Sequence, residues 1–97
     1  WGERYTMDIG KLQNWAKDNF GAALDPLSTD YGVARLLVQA GQLGEAALQN
    51  RNVDKELADV MFVLLALANR AGVDLDKTLT QTLFERSPQE ILARISR

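Results

Sequence analysis

The sequence contains no cysteine and no histidine. Without thiols there is neither a disulfide framework nor a thiolate nucleophile, and nothing ties the chain to an oxidising compartment. Without imidazole it lacks the commonest general base and the commonest zinc ligand. Chemistry therefore falls to carboxylates, amides, Lys and Arg, and a hard cation. Neither charge sign dominates: the net charge is −2 and no region forms a basic stripe, which speaks against a nucleic-acid surface. No apolar run approaches the ~20 residues that a membrane-spanning helix needs, and no signal peptide is visible. The expectation is a soluble, cytoplasmic protein with no membrane partner. The chain begins at Trp1 rather than Met, a start that trimming or added residues would give. Its 97 residues are enough for one hydrophobic core and not for two, so 1–97 is expected to be a single domain.

What is present is organised around Lys55 to Gly72, KELADVMFVLLALANRAG. Glu56 and Asp59 stand three residues apart, which on a helix places them on one face, one turn from each other. Nine apolar residues follow without interruption, Val60 to Ala68. A helix that is apolar all round is normally buried on every side, so this stretch predicts a central helix with two carboxylates at its N-terminal end. Carboxylates beside a core call for a cation, a metal or a donor network. The alternative is two solvated acids in the first turn, where the helix dipole favours them in any case.

The rest of the chain reads as helices too. Residues 1–7 show no period and predict an extended lead-in. Ile9, Leu12, Ala16 and Phe20, with Trp15 beside them, fall at helical spacing over Asp8 to Phe20. Asp8 or Thr6 would cap this helix and Gly21 would stand just past its end. Gly21 to Asp30 predicts a loop ending in N-cap candidates. Tyr31 to Gln49 predicts a second long helix with Val33, Leu36, Leu37, Ala40, Leu43 and Ala47 on its stripe. Gly41 and Gly44 inside it each cost ~1 kcal/mol against Ala, a cost expected to reflect close approach of another helix. Asn50-Arg51-Asn52 predicts a tight turn with Asn52 as cap, making the two long helices antiparallel neighbours. Asp74 caps a fourth helix carrying Leu75, Leu79 and Leu83. Ser87-Pro88-Gln89-Glu90 opens a last one with Ile91, Leu92 and Ile95. No stretch reads as a strand. The fold expected is all-α, an antiparallel bundle of four to five helices. The second and central helices are short of charge on their outer faces, which points to completion in a homo-oligomer, a dimer or tetramer.

Three segments together resemble a known family. Leu37 to Ala46 reads LVQAGQLGEA, Lys55 to Leu65 reads KELADVMFVLL, and Asn69 to Leu75 reads NRAGVDL. With Leu12-Gln13-Asn14-Trp15 ahead of them, they resemble the MazG-like all-α nucleotide pyrophosphohydrolases over about Asp8 to Arg86. The resemblance implies hydrolysis of a nucleoside triphosphate to the monophosphate and pyrophosphate. It also implies Mg²⁺ held by an ExxE motif on one helix and an ExxD motif on its antiparallel partner. The second motif is present as Glu56 and Asp59. At the first, the positions that match the two acids are Gln39 and Gln42, and Val38 precedes them. Glu45 matches a further position where the family often carries an acid. Thr82 and Arg86 fall where the family tends to carry polar and basic groups on its fourth helix. On this resemblance Glu56 and Asp59 are the catalytic, metal-holding acids, with Gln39 and Gln42 as weak metal ligands. Trp15, Glu45 and Arg86 are then candidates for substrate contact.

The glutamines change the chemistry implied. An amide oxygen can coordinate a cation but brings no charge and cannot act as a general base. Removing a unit charge at ~4 Å removes about 4 kcal/mol of gross attraction at an effective dielectric near 20. Even ~1.4 kcal/mol net per site is tenfold, so two losses predict Mg²⁺ affinity lower by on the order of a hundredfold. A substrate triphosphate brings its own Mg²⁺, which leaves room for slow hydrolysis on Glu56 and Asp59 alone. Two functions stand at this point. One is a MazG-like pyrophosphohydrolase of reduced or altered activity. The other is a non-catalytic helical oligomer that binds a nucleotide or another ligand, or mediates assembly. Plainer roles exist for the single residues: Gln39 and Gln42 as polar interface positions, Trp15 as packing, and Arg35, Lys55 and Arg86 as solvated charges within reach of a phosphate.

Overall fold

A computed structural model of the chain describes residues 8–24 and 26–96. The expected lead-in over 1–7 and the candidate cap Thr6 lie outside the described residues. Five α-helices and one π-helical turn account for most of what is described, and no strand occurs among the described residues. The helices are α1 (Ile9–Leu24), α2 (Thr29–Leu48), α3 (Asp54–Ala71), α4 (Leu75–Leu79) and α5 (Pro88–Ile95).

The boundaries follow local chemistry. The Asp8 carboxylate accepts the Lys11 N–H at 2.7 Å at the start of α1. Gly21 does not end this helix, as its position had led us to expect; α1 runs on to Leu24, since the Ala22-Ala23-Leu24 segment carries high helix propensity. Ser28 caps α2 by accepting the Tyr31 N–H, so that helix starts at Thr29, two residues before the expected Tyr31. Asn50 turns the chain with a positive φ of 56°, and the Asn52 side chain takes the Asp54 N–H at the head of α3. Gly72 closes α3 in the left-handed region, φ 70°, while the Val73 N–H reaches back to the Ala68 carbonyl at 2.8 Å. Asp74 and Ser87 cap α4 and α5 by accepting the N–H groups three residues on.

α4 is shorter than the Leu75, Leu79, Leu83 spacing implies. It gives way after Leu79 to a π-helical turn over Thr80–Phe84. The threonines supply the cause: Thr80 and Thr82 donate their hydroxyls to the carbonyls of Asp76 and Thr78, loosening the regular ladder. α5 then folds back so that Arg94 donates to the Thr82 carbonyl at 3.1 Å.

α3 is the hub. α1 and α2 each pack on it rather than on one another, and α1 also touches α4. Among the described residues the buried apolar ones are Ala16, Ala46, Leu65 and Ala68, so the core there is a thin seam along α3. α3 is not buried on all sides as its apolar run implies. Leu57, Met61 and Leu64 form an exposed stripe, because among the described elements the main packing on α3 comes from α1 and α2. α2 likewise exposes Val33, Leu37 and Leu48, with Leu37 at 69%. Gly41 and Gly44 do not mark a close approach inside the chain, since a Cβ at either meets nothing within 4 Å. Gly32 does: a Cβ there would collide with Cδ2 of Leu67, so α2 lies on α3 with hydrogen against methyl at that level.

Gln13 ties α1 to the far end of α3. Its Nε2 donates to the Val73 carbonyl, its Oε1 accepts the Leu75 N–H at 3.0 Å, and its own carbonyl accepts from Asn69 Nδ2 at 3.0 Å. One side chain thus satisfies two backbone groups in the α3–α4 connection. Gln13→Ala leaves both without their partner and is expected to lower the unfolding free energy by about 1–2 kcal/mol. Urea unfolding followed by tryptophan fluorescence measures it, and an unchanged midpoint would contradict this role for Gln13.

Candidate functional site

A cleft of about 390 Å³ opens between α2 and α3 and is closed at one end by Leu24, Leu27 and Ser28. Two helical faces build it. Gly32, Arg35 and Gln39 recur at i, i+3 and i+7 on α2, and Asp59, Phe62, Val63, Ala66 and Arg70 do the same on α3. Gly32 meets Leu67, while the short connection 49–53 joins the opposite ends of the pair, so the two helices run antiparallel.

The residues singled out from the sequence are distributed unevenly around this cleft. Gln39 and Asp59 line it together. Gln42 is exposed and Glu56 is half-buried, and neither is among the residues lining the cleft. Glu45 is exposed and its Oε1 accepts from Gln49 Nε2 at 3.3 Å, one turn along the same helix. Trp15 is half-exposed in a cluster of edge-to-face rings, 5.6 Å from Phe20 and 6.5 Å from Phe62. Phe62 also forms part of the cleft wall, so the aromatic cluster backs the cleft from the α1 side. Arg86 sits apart, 3.8 Å from Glu90, and with Thr82 and Arg94 lines a second depression of similar volume, about 400 Å³.

Two features govern what the cleft can bind. The first is the Gln39 amide. Its Oε1 is buried and has no hydrogen-bond partner among the described residues. A buried acceptor left unsatisfied costs about 1–3 kcal/mol, which a donor or a cation in the cleft would recover. The second is the state of Asp59. Lys55, one turn before it, donates to Oδ2 at 2.7 Å. That hydrogen bond, and then the attraction of the carboxylate charge, raises the Lys55 amine above its ordinary range. Because the folded value is the higher one, the pair's contribution is present below the ordinary lysine range and is lost only as pH rises through the raised value. At neutral pH the pair is therefore intact, and with one partner well exposed it adds little to stability.

No group of three or more acidic side chains comes together among the described residues in a way that would hold a metal ion. The residues lining the cleft include one carboxylate, Asp59, and one amide, Gln39, with Arg35 from α2 and Arg70 from α3. Arg70 was not singled out by sequence reasoning, although it lies at i+11 from Asp59, on the same helical face. Its Nε donates to the Leu27 carbonyl at 2.8 Å, which pins the α1–α2 connection against α3. Tyr31 and Ser28 were also missed: Tyr31 stands four residues before Arg35 on the same face of α2, and Ser28 is the N-cap of that helix.

Lys55 competes with any cation for Asp59. Lys55→Gln should therefore raise Mn²⁺ affinity about three- to tenfold, read by electron paramagnetic resonance of free Mn²⁺. Unchanged affinity would mean that cations do not go to Asp59. Compared with known proteins, the chain finds no counterpart: no family model, no curated protein and no solved structure matches it.

Proposed function

We propose that the chain is a MazG-like nucleotide pyrophosphohydrolase domain whose activity is reduced, converting a nucleoside triphosphate to the monophosphate and pyrophosphate. The observation that carries this is the meeting of Gln39 and Asp59 in one cleft between antiparallel helices. These are one position from each of the two motifs by which the chain resembles that family. The donor set fits a Mg²⁺ ion only in part. A hard cation accepts a carboxylate and an amide oxygen, and it commonly completes its shell with waters and substrate phosphates. The unpartnered Gln39 carbonyl is the kind of oxygen such an ion takes up. Asp59 and Gln39 would hold Mg²⁺ that arrives with the nucleotide, with Glu56 and Gln42 a turn further along. An ion held by these residues would supply positive charge to neutralise the phosphates and to activate a water.

The protein's own groups set the rest. Leu27, Phe62 and Leu67 offer an apolar wall for a base, and Arg35 and Arg70 bring positive charge for phosphates. The exposed stripes Leu37–Leu48 on α2 and Leu57–Leu64 on α3 support assembly with a second copy, and Gly41 and Gly44 leave room there for close packing. The second function, ligand binding without turnover, draws support from Lys55 on Asp59 and from the exposure of Gln42.

Two measurements test this. Pyrophosphate release in Mg²⁺ or Mn²⁺ should be slow, should vanish in Glu56→Ala, and should rise at least tenfold in Gln39→Glu/Gln42→Glu, whose restored charge strengthens metal binding. No release from any nucleotide by either protein would leave ligand binding as the function. Leu37→Glu and Met61→Glu should each convert the assembly to monomer in sedimentation experiments; a monomeric wild-type chain would remove the oligomer.

A further inference from the structure

We infer that the cleft can hold the phosphate of a nucleoside monophosphate directly on Arg35, with no metal between them. The ligand class rests on the function proposed above; the metal-free mode of holding it does not. The charged groups facing the cleft are Arg35, Arg70 and Asp59, and Asp59 is already matched by Lys55. The balance is positive, which suits an anion better than a free cation. Arg70 spends its Nε on the Leu27 carbonyl, whereas Arg35 has no hydrogen-bond or ion-pair partner among the described residues. A guanidinium with open donors presents the fork that pairs with a phosphate through two parallel bonds.

Gln39 lies one turn beyond Arg35 on the same face of α2, and its buried carbonyl lacks a donor. Inorganic phosphate could pair with Arg35 and offer its P–OH to Gln39, but it leaves the apolar wall of the cleft unused. A molecule with a phosphate at one end and N–H or O–H groups on its body satisfies both, and a cleft of about 390 Å³ with Phe62 in its wall accommodates a base and sugar. The neutral amide is what permits this arrangement. A carboxylate at position 39 would repel the phosphate unless a cation stood between them.

Isothermal titration with the nucleoside monophosphates, their parent nucleosides and inorganic phosphate, each in EDTA and in Mg²⁺, tests the assignment. At least one monophosphate should bind in EDTA, roughly tenfold or more tighter than its nucleoside and than inorganic phosphate. Mg²⁺ should not strengthen it. Arg35→Gln should erase the advantage of the phosphate, and Arg35→Lys should keep part of it. Arg51→Gln, outside the cleft, should leave binding unchanged. In Gln39→Glu the same monophosphate should bind more weakly in EDTA and regain affinity with Mg²⁺. Absence of binding in EDTA, or full affinity in Arg35→Gln, would overturn the inference. A chain that releases pyrophosphate with Mg²⁺ yet binds no monophosphate in EDTA keeps the hydrolase function and loses this one. A chain that binds in EDTA and never turns over does the reverse.

Discussion

The cleft depends on how closely α2 lies against α3, and that closeness rests on Gly32. With no side chain there, the Leu67 methyl sits where a Cβ would be, and the two helices meet at that level. From this contact they continue toward the Gln39 and Asp59 end, and the space between them is the cleft. α1 borders that space without filling it: Leu24 closes one end, and the helix is held on α3 by Gln13 and the Trp15–Phe20–Phe62 rings. The same topology that frees the cleft leaves α3 with a third face uncovered, where Leu57, Met61 and Leu64 stand exposed. A thin core and an open groove thus have one origin, a central helix on which, among the described elements, α1 and α2 do most of the packing.

Charge decides what such a groove can hold. A carboxylate in place of Gln39 would set a second acid beside Asp59 and favour a divalent cation. With an amide there, the remaining Asp59 is taken by Lys55, and the arginines lining the cleft carry the balance. Gln39 is central to both functions considered, because a buried carbonyl without a partner is satisfied equally by a metal that comes in with phosphates or by a donor on the ligand itself. Metal dependence of binding is therefore the property that separates them.

Much of the fold was legible in the residues, and the reasons are local. Asp8, Ser28, Asn52, Asp74, Ser87 and Gly72 all act at helix ends as their side chains or backbone freedom dictate. What the pattern could not convey was coverage. Nine consecutive apolar residues specify a helix that wants burial everywhere, yet how many neighbours a single chain supplies is a matter of topology. Glycine showed the same limit. Gly41 and Gly44 look like a packing notch in sequence, but the notch used within the chain is Gly32, one residue among the polar first turns of α2. At the site, spacing brought Gln39 and Asp59 to one cleft, while Gln42 and Glu56 do not line it. Arg70 could have been found from its position three turns along the face of Asp59. Tyr31 could too, from its place one turn before Arg35 on α2, whereas Ser28 could not, since it lies in the turn before that helix.

The central claim is that α2 and α3 meet at Gly32 and Leu67 and leave the cleft open beside that contact. The most direct measurement is a methyl-edited nuclear Overhauser experiment on the wild-type chain with labelled leucine methyls. The account predicts a strong cross-peak between the Leu67 methyl protons and the α-protons of Gly32. Its absence, with Leu67 instead showing cross-peaks to residues of α1, would contradict the account.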